Sequence, residues 1–304
     1  MNGFLLPGYD ILGQLGIGGM ARVWKARRNS DGRLVAIKVL LPSAAASDDD
    51  IARFRREVKV ASSIQHPGIV KVHTAIFSQG TYCCVMEYVD GYTFGSLLVR
   101  KGRLPPEDVL IIAESVAVAL KYAWDECGLI HCDIKPDNIM VGSDGCVKLT
   151  DLGLCHAKAY FRGDSGVNSD DDEIVGTPAY MSPEQIYADV ELDCRSDIYS
   201  LGATLYQLLT GRMLFTDEAP DDIVRRHVDE NATAPNVADY NREVSPGLSR
   251  VLEKMLVKDA DARYPDWDSV LEDIAIVREG GMPAPLRFDA ACSMRPWEDG
   301  DGYQ

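Results

Sequence analysis

Chemistry is most concentrated in the run His131-Cys132-Asp133-Ile134-Lys135-Pro136-Asp137-Asn138. Asp133 is a carboxylate able to accept a hydroxyl proton. Lys135, two residues on, can neutralise charge on a transferring phosphoryl group. Asn138 supplies a neutral oxygen ligand, and Asp151-Leu152-Gly153 follows with a second, charged one and a glycine for a sharp turn. An amide and a carboxylate oxygen suit a hard cation such as Mg²⁺.

Two weaker features lie upstream. Gly16-Ile17-Gly18-Gly19-Met20-Ala21-Arg22-Val23 sits between strand-like segments, where glycines let backbone N–H groups approach phosphate oxygens closely. Taken alone, an ordinary glycine turn explains it better. Val35-Ala36-Ile37-Lys38 ends an apolar strand in a lysine. A solvated edge charge is the plain reading; a functional one requires an acidic partner, and Glu57 on the next helix is the candidate.

The elements that must position these groups fall into two kinds. Residues 9–40 read as strands at 9–15, 23–26 and 34–40, joined by Gly-rich turns. A helix with one charged face is predicted over 51–64, then strands over 69–76 and 81–88. Beyond Gly91 the pattern turns helical: 94–100, 106–126 with proline at its first turn, and apolar clusters at 198–209, 248–256 and 270–277. Short strands are expected at 139–141 and 147–150. Residues 154–174, with Asp170-Asp171-Asp172-Glu173, read as a polar surface loop. The fold class is therefore α+β, with a small β-rich part carrying one main helix and a larger α-helical part.

Bulk composition narrows the partners. The chain has 304 residues, 46% hydrophobic and 26% charged, which is ordinary for a globular protein. A net charge of −16 argues against a nucleic-acid partner, which needs a basic face. The eight cysteines show no CxxC pair or zinc spacing and read as reduced, mostly buried thiols of a cytoplasmic protein. No secretory signal is apparent, and no stretch reads as a membrane span.

In order and spacing these motifs resemble the Hanks-type protein kinases, and most of all their bacterial serine/threonine branch. The resemblance covers about residues 9–277. It implies a bilobal kinase fold: N-lobe 1–86, hinge 87–91, C-lobe 92–279 and tail 280–304, with ATP in the cleft. By that resemblance Gly16, Gly18, Gly19 and Val23 cover ATP, and Lys38 pairs with Glu57. Met86 is the gatekeeper, Glu87, Tyr88 and Val89 form the hinge, and Met140 lies under adenine beside Val23 and Ala36. Asp133, Lys135, Asn138 and Asp151 make the reaction centre, with Asn138 and Asp151 as ligands of Mg²⁺, or Mn²⁺ in its place. The activity implied is transfer of the γ-phosphate of ATP to Ser/Thr hydroxyls of proteins, including the chain's own. Gly176 to Glu184 matches the substrate-docking loop. Glu184 is expected to pair with Arg263, and Asp197 to brace the catalytic-loop backbone. A homodimer through the N-lobe is also implied by resemblance alone.

Three residues depart from the family pattern. Ala21 stands for the third glycine and Leu152 for phenylalanine, both small changes. Cys132 replaces the arginine that binds activation-loop phosphate in the family, as in its non-RD members. A thiol offers no bidentate cation, so activity is expected to be independent of loop phosphorylation through that position. A redox switch at Cys132 is the minor alternative. Two rival functions are a nucleotide-binding pseudokinase or scaffold, which predicts loss of Lys38, Asp133, Asn138 or Asp151, and a small-molecule kinase, which predicts loss of the docking loop. All of these features are present in the sequence. The tail is expected to lack a core of its own and to be a disordered end, with docking of a partner as the alternative.

Overall fold

The computed structural model describes residues 5–18, 21–40, 58–78, 80–152, 177–187, 192–216, 219–285 and 290–297. The chain divides into two compact units, one of residues 1–91 with 141–154, the other of 92–140 with 155–304.

The first unit is built on an antiparallel sheet of order β1-β2-β3-β5-β4, from Tyr9–Ile17 (β1), Ala21–Arg28 (β2), Leu34–Leu40 (β3), Val72–Ser78 (β4) and Thr81–Glu87 (β5). Period-two alternation gives β3 two different faces. Val35, Ile37 and Val39 pack with Ala26, Cys83 and Val85 in one apolar core. Ala36 and Lys38 pair with Met86 and Cys84 on the other face. β1 reaches further than expected, and register shifts near Gly13 and Gly16 bend it along β2. The strand expected from Ile69 begins at Val72; Ile69 itself makes only a single parallel bridge to Leu149. Residues 58–61 are helical, while 51–57 of the helix predicted there lie outside the described residues. After the short strand Gly91–Thr93 (β6), the chain returns to this unit through a hairpin of Ile139–Gly142 (β7) and Val147–Leu149 (β8).

The second unit is helical: Phe94–Lys101 (α1), Pro106–Cys127 (α2), Pro183–Tyr187 (α3), Cys194–Thr210 (α4), Pro220–Val228 (α5), Val237–Tyr240 (α6), Pro246–Met255 (α7) and Trp267–Arg278 (α8). Its pillar is α4, capped by the Asp193 side chain and ended by Gly211 in a left-handed conformation. Nearly every α4 residue is buried, so its polar side chains must find partners inside the protein. α5 and α6 fall in the stretch from Pro183 onward that reads as helical in the sequence, but neither carries an apolar period long enough to delimit it.

The tail departs from expectation. Residues 290–297 are docked, with Cys292 and Met294 buried, and with bridges from Met294 to Ala234 and from Cys292 to Val257. Apolar residues at 292 and 294 find a core in the unit's own helices, which a composition-based reading of a Pro/Gly-containing tail does not reveal.

Candidate active site

In the second unit a hydroxyl-handling cluster is complete. The Asp133 Oδ2 atom meets Lys135 Nζ at 2.7 Å. Asn138 Nδ2 donates both to the Asp133 main-chain oxygen at 2.8 Å and to its Oδ2 at 2.9 Å. The Thr177 hydroxyl donates to Asp133 Oδ1 at 3.1 Å and accepts from Lys135 Nζ at 2.7 Å. A carboxylate, an ammonium and a threonine hydroxyl thus close a triangle. That geometry suits drawing a hydroxyl proton towards Asp133 while Lys135 compensates charge.

The loop carrying this cluster is held from α4. Asp197 accepts from the main-chain N–H groups of His131 at 2.6 Å and Cys132 at 2.9 Å, and Thr204 donates to the Ile134 carbonyl at 3.1 Å. Burial lifts the Asp197 carboxyl to about 6, against the pull of His131 and the two N–H donors. Cys132 itself has φ 62, a left-handed conformation that favours glycine. Its thiol is buried in a cluster with Ile130, Leu192 and Trp124, whereas a redox switch requires an accessible one.

The docking segment is braced twice. Arg263, buried, holds Glu184 at 2.7 and 3.2 Å, and Ser196 donates to the same carboxylate at 2.8 Å. Burial pushes the Glu184 carboxyl up, but Arg263 and these hydrogen bonds outweigh it and leave the group below its ordinary value. The second brace was missed from sequence. Gln185 accepts from the Ser182 N–H at 3.0 Å and donates to the Cys132 carbonyl at 2.8 Å. A glutamine following Glu184 carries no spacing signal that would single it out.

In the first unit Lys38 Nζ meets Asp151 Oδ1 at 2.7 Å, both partly shielded. The pairing of Lys38 with Glu57, and the position of Gly19, lie outside the described residues. Asp151 has φ 63; with Cys132 it is one of two described non-glycine residues in the left-handed region. Lys38 and Asp151 form the polar wall of a cavity otherwise lined by apolar groups including Val58, Ile64, Cys84 and Leu152. Ala36, Val70 and Met86 form one apolar cluster with Val23 and Val89 packed against it. Four of the residues expected to face adenine therefore share a surface. The Glu87 side chain is occupied by Lys148 at 3.0 Å and the Lys71 N–H at 3.2 Å. Met140 is half-buried on β7.

Packing does not require glycine at the start of this unit. A methyl group at Gly16 would meet nothing within 4 Å, and at Gly18 only the Ala21 oxygen at 3.6 Å. Open space above a strand turn is what a closely approaching phosphate would use. Asp151 and Asn138 each present oxygen. Among the described residues no cluster of three His, Cys, Asp or Glu side chains could hold a metal alone. The Asp151 carboxylate and the Asn138 amide, each taken by itself, offer a hard oxygen of the kind Mg²⁺ takes.

Comparison with known proteins agrees with this chemistry. The family model described as "Protein kinase domain" matches residues 9–273. A probable serine/threonine-protein kinase of Streptomyces coelicolor is 39% identical over 277 residues, 90% of this chain and 40% of that protein. Serine/threonine-protein kinase PknB of Mycobacterium leprae is 36% identical over 279 residues, 90% of this chain and 44% of that protein. The chain thus spans less than half the length of these relatives. Among solved structures, the kinase domain of Mycobacterium tuberculosis PknI has a TM-score of 0.69 at 26% identity, covering 90% of this chain and 98% of that one.

Proposed function

The chain belongs to the protein kinase domain family, and from that premise we propose that it transfers the γ-phosphate of ATP to serine and threonine hydroxyls of proteins, itself included. One observation carries the reading: the hydroxyl of Thr177 already sits between Asp133 and Lys135, as an acceptor hydroxyl would. Asp133 orients that hydroxyl and takes its proton, and Lys135 offsets charge on the phosphoryl group. Lys38 holds the α- and β-phosphates, the open backbone at Gly16 and Gly18 covers them, and the Val23, Ala36, Met86 and Val89 surface receives adenine. Asn138 and Asp151 are the residues that would hold Mg²⁺, or Mn²⁺ in its place. The ion, when bound, neutralises phosphate oxygens. Catalysis is then positioning and charge stabilisation, without a covalent enzyme intermediate.

The functional division is a small lobe 1–86, hinge 87–91, large lobe 92–279 and tail 280–304. A cytoplasmic location is supported by the seven described cysteines, none of them in a disulfide and most of them buried. No helix among the described residues is long and apolar enough to cross a membrane. Self-association through the first unit is the assembly to examine, since Leu12, Leu15, Ile17 and Phe77 are exposed there.

The test is transfer of labelled phosphate from ATP with magnesium, followed by mapping of the labelled residues. Asp133→Asn should lose transfer while retaining nucleotide binding. Wild-type turnover in that variant overturns the assignment, ATP binding without transfer by the native protein indicates a scaffold, and label appearing only on small molecules indicates a small-molecule kinase.

A further inference from the structure

The docked tail reaches a buried polar chain that ends on the substrate-docking loop. The main chain of the tail is fixed by four hydrogen bonds. Ser293 N donates to Leu256 O at 2.9 Å, Ala234 N to Ser293 O at 2.8 Å, Arg295 N to Ala234 O at 2.8 Å and Lys258 N to Ala291 O at 2.8 Å. These set the Ser293 side chain, wholly buried, against α4, where its hydroxyl lies 2.7 Å from the Tyr199 hydroxyl. The Tyr199 hydroxyl lies in turn 2.8 Å from Nδ1 of His227, at the end of α5. Nε2 of His227 is buried and has no hydrogen-bond partner among the described residues, and α5, which carries His227, packs against Pro178–Tyr180 of the docking loop.

The Tyr199 hydroxyl, which can donate once and also accept, serves both the Ser293 and the His227 contact in either tautomer of the ring. The face of the Tyr199 ring also carries the Arg263 guanidinium at 5.0 Å, the group that holds Glu184. Tyr199 therefore touches both Arg263, which holds Glu184, and His227.

We propose that the tail segment 290–297 is a positioning element for the substrate-docking loop, acting from Ser293 through Tyr199 and His227 on Pro178 and Ala179. The proposal rests on the kinase reading, in which residues 177–184 receive the protein substrate. Docking of the tail keeps His227 directed at the loop, and release of the tail frees Tyr199 to turn away. The protein substrate, not ATP, is the ligand whose binding depends on it.

The test uses the full chain with Tyr199→Phe, Ser293→Ala and both together, each of which removes only a hydroxyl. A threonine peptide labelled by the native protein is the substrate. Each single variant should raise the peptide KM about three- to tenfold and leave the ATP KM within about twofold. The double variant should cost no more than the worse single one, since both break one chain. Hydrogen exchange at the amides of Ala179, Tyr180 and Met181 should quicken in all three. That readout needs no turnover, so it stands even if the kinase reading fails. The proposal is overturned if exchange there is unchanged, if the ATP and peptide KM rise together, or if only the melting temperature falls.

Discussion

Gln185 holds Cys132 by its main chain, its side-chain amide nitrogen lying 2.8 Å from the Cys132 carbonyl. The N–H of the same residue is taken by Asp197. Cys132 is thus gripped on both peptide flanks, and the grip maintains a left-handed backbone that a non-glycine residue adopts only at a cost of roughly 1 kcal/mol or more. The family arginine missing here would act through a phosphate on another loop. Gln185 acts directly, joining the catalytic loop to the segment that starts at Ser182 and needing no modification.

Replacing Gln185 by leucine should therefore take one partner from the Cys132 carbonyl and strand the Ser182 N–H. Leaving a buried polar group unpaired costs about 1–3 kcal/mol. We expect a lower urea midpoint and about a tenfold drop in kcat, with the ATP KM unchanged. Steady-state kinetics alongside urea titration checks it; a Gln185→Leu protein with native kcat would show that the link is ornamental to turnover. In the same assay, the native protein should gain less than about tenfold on autophosphorylation, because Cys132 has no cation with which to read loop phosphate.

The cluster proposed to be catalytic was legible in the sequence because its chemistry is carried by residue type at short separations. Asp133, Lys135 and Asn138 lie on one loop, and their mutual contacts follow from local backbone geometry. The sheet was legible through alternation, as Val35 to Val39 shows. What stayed hidden depends on contacts distant in the chain. Gln185 to Cys132 and Ser293 to Tyr199 join residues whose types are commonplace on a surface. Only the packing of α4, buried on almost every side, turns them into obligatory partners. The tail failed for a related reason: Cys292 and Met294 are too few to announce a core, but they complete one that other helices supply.

Removing Arg263 should be far more damaging than removing a surface cation. Its side chain is fully buried, and it neutralises Glu184. An Arg263→Ala change leaves a buried carboxylate without its cation, a situation that costs about 3–5 kcal/mol. Urea unfolding should report a loss of that size. The double variant Arg263→Met with Glu184→Leu should recover much of it, since the pair's desolvation penalty disappears with the pair. Failure of the double variant to regain stability would locate the damage instead in the other contacts of Arg263, the carbonyls of Val257, Arg195 and Lys258 and the Tyr199 ring.

Asp151 offers a test of the metal assignment. Its Oδ1 atom meets Lys38, and an Asp151→Asn variant keeps the shape while losing the charge that a divalent cation would use. The magnesium concentration for half-maximal transfer should rise at least tenfold, equivalent to about 1.4 kcal/mol, and excess chelator should abolish transfer by the native protein. Lys38→Met should cut turnover with the magnesium midpoint little changed. If both variants shift that midpoint equally, the two residues act only as a structural pair.

His227 makes stability depend on pH in a direction that can be worked out. Burial, reinforced by the charge of Lys258, pushes its imidazole down to about 3 against the opposing pull of the Ala179 and Pro178 carbonyls. Tyr199 and the Phe215 ring also meet it, with Arg226 and Lys258 above that ring. The unfolded chain takes up a proton near the ordinary 6.5, whereas the folded one resists until about 3. Between those values the unfolded state binds more protons, so stability is full above 6.5 and falls as pH falls. Asp197, lifted to about 6 by burial, works the other way in part of this window, because its protonated form is favoured by folding. That contribution is common to the native protein and a His227→Gln variant and cancels in their difference. The native protein's stability relative to the variant should therefore drop by about 2 kcal/mol between pH 7 and pH 5. Urea midpoints measured at both pH values supply the comparison, and an unchanged difference would mean that the folded protein admits a charged imidazole beside Pro178.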